Sequence, residues 1–135
     1  MYASDFHMAD IEAIMQIMPL VMLFNATIDI VHVTGDATSS ETVAKADMRL
    51  FIDKLREHTS YADIVPTVLP GKDIPGDIEG YASICRSDLL ILSTKRKTML
   101  ERIFEQSVTQ ALVNHTKIPL MVFHYEVQGE PVYIF

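Results

Sequence analysis

The stretch Asp88 to His124, DLLILSTKRKTMLERIFEQSVTQALVNHTKIPLMVFH, decides the fold. Asp88–Leu92 and Pro119–His124 are apolar runs without polar alternation, the pattern of parallel strands covered by helices on both faces. The segment between them carries an amphipathic stripe at helical spacing, so the whole reads as a βαβ unit. Its first loop is basic: Lys95, Arg96, Lys97 and Arg102 place four of the chain's 11 basic residues within nine positions, next to Thr94 and Thr98. In an open parallel sheet, ligands sit beyond the carboxyl ends of the strands, and this loop lies there.

Outward from this unit the alternation continues. Met1–Asp5 is a short apolar stretch. Ile11, Ile14, Met15, Met18 and Met22 recur at helical spacing and predict a helix that ends near Asn25, a residue tolerant of the left-handed cap, with Pro19 a kink or restart. Thr27–Val33 is β-branched and strand-like. Thr38 and Glu41 fit a capping box before a helix from about Ser39 to His58. Tyr61–Leu69 is a third strand, which Pro66 assigns to an edge. Pro75 then starts a helix with Ile78, Tyr81, Ala82 and Cys85 on one face. Five strands alternating with helices predict a parallel sheet with right-handed crossovers and helices on both faces.

Composition limits the function classes. A chain of 135 residues with 49% apolar content suits one domain with a substantial core. The net charge of −7 supplies no basic field for nonspecific nucleic-acid binding, so no nucleic-acid partner is expected. The single cysteine, Cys85, cannot close an internal disulfide; a reducing, cytoplasmic setting is the expectation, with Cys85 packed behind the third helix. The longest apolar segment, Ile11 to Phe24, contains Glu12, Gln16 and Pro19 and falls short of the roughly 20 residues of a membrane span. His7, His58, His115 and His124 show no metal-ligand spacing, and His32 sits in a buried strand pattern as a core histidine. The methionines read as adaptable core filler. No nucleophile elbow or paired carboxylates stand out, and no catalytic residue or enzymatic activity is expected.

The chain resembles the universal stress protein family over essentially its whole length. DLLILSTKRKTMLERIFEQSVTQALVNHTKIPLMVFH is similar to the last third of that domain, YASDF to its first strand ending in aspartate, and IDIVHV to its second strand ending in a His-Val pair. The resemblance implies an α/β, flavodoxin-like three-layer sandwich of the adenine-nucleotide α-hydrolase type, with a five-stranded parallel sheet of order 3-2-1-4-5. It assigns residues 1–126 to the domain and 127–135 to a tail. Asp5 then lies opposite the loop Ser93–Thr98, as an adenine- or ribose-side ligand or, alternatively, as a cap for the first helix. Val33 and Val108 join Asp5, Ser93, Thr94, Arg96, Lys97 and Ser107 as the implied ligand-binding set.

Many members bind ATP through G-x-x-G, nine residues, then G-[ST]. Here that pattern falls on Ser93, Arg96, Gln106 and Ser107, with the spacing kept and all three glycines replaced. Glycines in a phosphate loop permit positive φ and let backbone N–H groups approach oxygen without a Cβ in the way. Their loss disfavours ATP or AMP as a cofactor. Two readings of the basic loop remain open. Lys95, Arg96 and Lys97, with Ser107 at a helix start, replace backbone donors with side-chain donors for a small anion or nucleotide; or they form a solvated face, the ordinary fate of a charge run, or Arg96 fills the vacated crevice and pairs with Asp5. Thr98 to Glu101 also fits a capping box, which would make Leu100 to Leu112 nearly one helix and remove the separate start at Ser107.

The expected function is therefore a noncatalytic stress-response or regulatory module without ordinary ATP binding. The alternatives are an adenine-nucleotide-binding member and a structural half of a dimeric or tandem assembly. With Met1 only four residues before Asp5, the first strand is short for a central one, consistent with a domain cut or a partner. The final strand Pro119–His124 is an apolar edge, which predicts a homodimer through it, with the tail Val127–Phe135 contributing.

Overall fold

The computed structural model describes residues 1–35, 38–95 and 108–125. Among them lie strands β1 (Tyr2–Ala3), β2 (Ile28–Thr34), β3 (Ile64–Pro70), β4 (Leu90–Lys95) and β5 (Leu120–Tyr125). The helices are α1 (Met8–Leu23), α2 (Thr38–Arg56), α3 (Ile74–Ile84) and α4 (Val108–His115). The strands form one parallel sheet of order β3-β2-β1-β4-β5. This is the predicted order, with the Pro66 strand at one edge.

Direction of travel explains the layers. The chain moves from β1 to β3 in one direction across the sheet and from β3 through β4 to β5 in the other, so right-handed crossovers place α1 and α2 on one face and α3 and α4 on the other. Strand alternation serves both layers. Tyr2, Ile28, Ile30 and Ile91 pack with Ile14 and Ile17 of α1 and Phe51 and Leu55 of α2. Val31, Val33, Leu90 and Leu92 pack with Ile78 and Ala82 of α3 and Leu112 of α4. The sheet is buried on both sides, as its unalternating apolar strands require.

β1 is only two residues long but sits at the centre, paired with β2 and β4. Backbone bonds extend its hold: Ser4 N–H donates to the Val31 carbonyl at 2.9 Å and Ile91 N–H to the Met1 carbonyl at 2.9 Å. A short central strand is thus fixed by neighbours on both sides.

Three local expectations are corrected. α1 runs through Pro19 without a restart; Pro19 is exposed, so the backbone acceptor it deprives lies where water is at hand. Thr38 is already the first residue of α2 rather than the residue before it, while Glu41 instead pairs with Lys45 at 2.6 Å one turn on. Cys85 is exposed, not packed behind α3: the helix ends at Ile84, and Arg86 follows in the left-handed region at φ 53°. Asn25 does adopt the left-handed conformation after α1, at φ 48°. The proposed Thr98 to Glu101 capping box and the tail Val127–Phe135 lie outside the described residues. Among the described residues no helix is long and apolar enough to cross a membrane.

Candidate functional site

The strand order reverses between β1 and β4, and the crevice beyond their carboxyl ends is where such a sheet receives a ligand. Register places the residues. Tyr2 pairs with Ile91 and Ala3 with Leu92, so the chain leaves β1 at Ser4 and Asp5 beside Ser93 and Thr94. Asp5 is exposed at this end, Ser93 and Thr94 are half-buried, and Val33 is buried near the end of β2. Val108 opens α4 and packs half-buried against the same cluster as Val33. Five of the eight implied ligand residues therefore stand at or near the carboxyl end of the sheet. Arg96, Lys97 and Ser107 lie outside the described residues.

Beneath the crevice is a polar network centred on Asp10, Tyr2 and Ser4, which the sequence reading did not single out. Asp10, 3% exposed, faces the sheet from the first turn of α1. One of its oxygens accepts from the Tyr2 hydroxyl at 2.9 Å; the other accepts from Ser4 Oγ at 2.7 Å and from the N–H groups of Asp5 at 3.2 Å and His7 at 3.3 Å. Tyr2 Oη also lies 2.5 Å from Ser93 Oγ, linking β1, α1 and β4. Ser4 Oγ accepts in turn from Phe6 N–H at 3.0 Å. Burial, with the neighbouring Asp10 charge, pushes the Tyr2 phenol well above its ordinary value of 10.0.

The helix start is built from the same parts. His7 is the N-cap of α1, its Nδ1 accepting from Ala9 N–H at 3.2 Å, and Asp10 closes the capping box on His7 N–H. The cap position belongs to His7, not to Asp5. Among the described residues Asp5 offers its carboxylate to solvent, with only its backbone N–H tied down.

Aromatic rings flank this end of the sheet. Phe6 holds φ 63°, a region that bulky residues rarely enter, and stacks on His32 with ring centroids 4.2 Å apart. His32 Nδ1 lies 2.7 Å from the Ser4 carbonyl, so the histidine is fixed to the β1 exit rather than aimed at a substrate. Across the β4 side, His7 stacks on Tyr125 at the end of β5, with centroids 4.6 Å apart. Among the described residues, no group of His, Cys, Asp and Glu is arranged to hold a metal ion.

The comparisons bear on this architecture. A model described as the universal stress protein family matches residues 3–124. A universal stress protein solved in complex with cAMP superposes with a TM-score of 0.73 at 16% identity, covering 91% of this chain and 94% of that one. The universal stress protein from Archaeoglobus fulgidus in complex with dAMP gives a TM-score of 0.68 at 17% identity, with 90% and 93% covered. That from Lactobacillus plantarum gives 0.67 at 19% identity, with 90% and 93% covered. At such identities the superpositions show a shared fold. No curated protein sequence matches the chain.

Proposed function

The chain belongs to the universal stress protein family, and from that premise we propose that it is a noncatalytic stress-response or regulatory module whose crevice does not take ATP through a glycine-rich loop. One observation carries the reading: where the first glycine of the family pattern falls, Ser93 keeps ordinary strand backbone and commits its hydroxyl to Tyr2 at 2.5 Å. A side chain and a structural bond stand where the pattern calls for bare backbone. The same network supports a noncatalytic role. Asp10 accepts four hydrogen bonds and His32 is fixed to the Ser4 carbonyl, so both are engaged in holding the site together.

A second reading has its own support. The similar structures that hold cAMP and dAMP carry adenine nucleotides with a single phosphate, which asks less of a loop than a triphosphate does. On that reading the exposed Asp5 carboxylate, at the β1 exit beside β4, would meet the ribose. The melting temperature with millimolar Mg·ATP, AMP or cAMP separates the two. No rise with any of them is the expected result; a rise with AMP or cAMP alone selects the second reading, and a saturable rise with ATP overturns the first.

The module is further proposed to pair through β5, a sheet edge whose residues Leu120 to Phe123 are only half-buried. An apolar edge left open invites strand addition. The wild-type chain should sediment as a dimer at micromolar concentration, and Val122→Lys should shift it toward monomer. A wild-type monomer across that range would remove β5 as an interface, whatever the variant does.

A further inference from the structure

At the end of the sheet opposite the crevice, α1 finishes apolar on both of its sides. From Pro19 to Phe24 the chain reads PLVMLF, and among these six only Val21 is buried; Leu23 is 74% exposed and Phe24 71%. Pro19 and Leu23 continue the stripe opposite Ile14, Met18 and Val21, where a surface helix ordinarily turns polar. A helix apolar all round belongs in an interior, and this turn meets solvent. Facing it across a hollow of about 730 Å³ is the end of α3: Cys85 and Arg86 line the hollow, and Ile84 beside them is 80% exposed.

Area, relief and sign then say what fits. At these exposures Pro19, Leu20, Leu23, Phe24 and Ile84 together present roughly 550 Å², near the upper limit for the largest apolar patch of a monomer. Two copies meeting here bury about 1,100 Å² before the rim is counted, which is the low end of specific interfaces. Ile17, Val21, Ile28 and Ile91 floor the hollow, and the Phe24 ring stands at its mouth. One chain thus carries both an aromatic projection and an apolar recess, a pairing that a two-fold axis satisfies twice. The net charge of −7 sets copies of the chain against one another. At this rim, exposed Arg86 lies two residues from exposed Asp88, so a copy brings both signs and like charges need not be opposed. An anionic lipid surface would find no basic cluster in this lining, whose aspartates are Asp29 and Asp88.

We propose that this end of the sheet is a self-association surface, on which a second copy of the chain packs across a two-fold axis with Leu23, Phe24 and Ile84 at its centre. It is separate from the β5 edge, since it lies at the amino ends of the strands and not along one of them. An area at the low end of the range makes it the contact of concentrated protein, formed above the low-micromolar range.

Sedimentation equilibrium from about 2 to about 200 µM reads the association. The weight-average mass should rise through the upper part of this range in the wild type and in Val122→Lys alike, and adding Leu23→Lys/Phe24→Lys should weaken that step at least about tenfold. Val122→Lys isolates this surface from the β5 edge, so a failure of the β5 pairing leaves the result readable. No rise in Val122→Lys would overturn the surface. A rise that Leu23→Lys/Phe24→Lys leaves unchanged, with a wild-type melting curve, would overturn its placement. Cys85 gives a second readout with the patch intact, being the chain's single cysteine, exposed, and part of the lining. In Val122→Lys its alkylation by excess iodoacetamide should slow as the protein is concentrated, and a rate independent of concentration would contradict the pairing. Adsorption to phosphatidylglycerol vesicles without self-association would give the face to lipid and refute the second copy as its occupant.

Discussion

Asp10→Ala should lower folding stability by about 3 kcal/mol and the melting temperature by roughly 10 °C. Alanine removes an acceptor that serves four donors: the hydroxyls of Tyr2 and Ser4 and the N–H groups of Asp5 and His7. The Tyr2 and Ser4 hydroxyls have partners other than Asp10, but the two N–H groups lose the carboxylate at a site 3% exposed. α1 loses its capping box in the same step. Asp10→Asn should cost much less, about 1 kcal/mol. Its carbonyl oxygen can serve Ser4, Asp5 and His7, while its amide donates to a Tyr2 hydroxyl turned toward Ser93. Urea denaturation of the three proteins checks the order. Equal losses in both variants would mean that charge, not the hydrogen-bond pattern, holds this end of the sheet together.

Tyr2→Phe tests the network from the other side and adds a pH signature. At neutral pH, loss of the hydroxyl leaves Asp10 and Ser93 each short of a partner, for about 1–2 kcal/mol. The alkaline limb is more distinctive. The native phenol is held above its ordinary value of 10.0, first by burial and then by the Asp10 charge. Its contribution is therefore complete below the unfolded value and declines as pH rises beyond it, because the unfolded chain releases a proton that the native chain keeps. Above about pH 10, wild-type stability should fall relative to Tyr2→Phe by up to about 1.4 kcal/mol per pH unit. The other tyrosines are common to both chains and cancel in the difference. Parallel stability curves through the alkaline range would show that Tyr2 ionises as freely in the native state as in the unfolded one.

The fold was legible because its signals are local. Pro66 marked an edge, Asn25 marked the left-handed end of α1, and apolar runs without alternation marked strands buried on two faces. The network was less legible because it joins residues as far apart as Tyr2 and Ser93, and no local spacing connects them. One clue was present. Asp10 lies on the buried stripe of α1 with Ile14, Ile17 and Val21, and a carboxylate on an apolar stripe needs donors from elsewhere in the fold. Cys85 misled for the opposite reason: it continues the spacing of Ile78, Tyr81 and Ala82, but spacing does not reveal that the helix stops one residue earlier and the chain turns outward.

On the proposed reading the crevice is where resemblance and residues pull in different directions, with Ser93, Arg96 and Gln106 standing where the family pattern has glycines. The Ser93 hydroxyl lies 2.5 Å from that of Tyr2 and belongs to the scaffold. The most direct test is a calorimetric titration of Mg·ATP into the wild-type chain and, alongside it, into the variant Ser93→Gly/Arg96→Gly/Gln106→Gly. The account predicts no measurable binding by the wild type and a saturable isotherm for the variant, at some loss of stability from the freed backbone and the broken bond to Tyr2. Saturable ATP binding by the wild type, equal to or tighter than that of the variant, would contradict it.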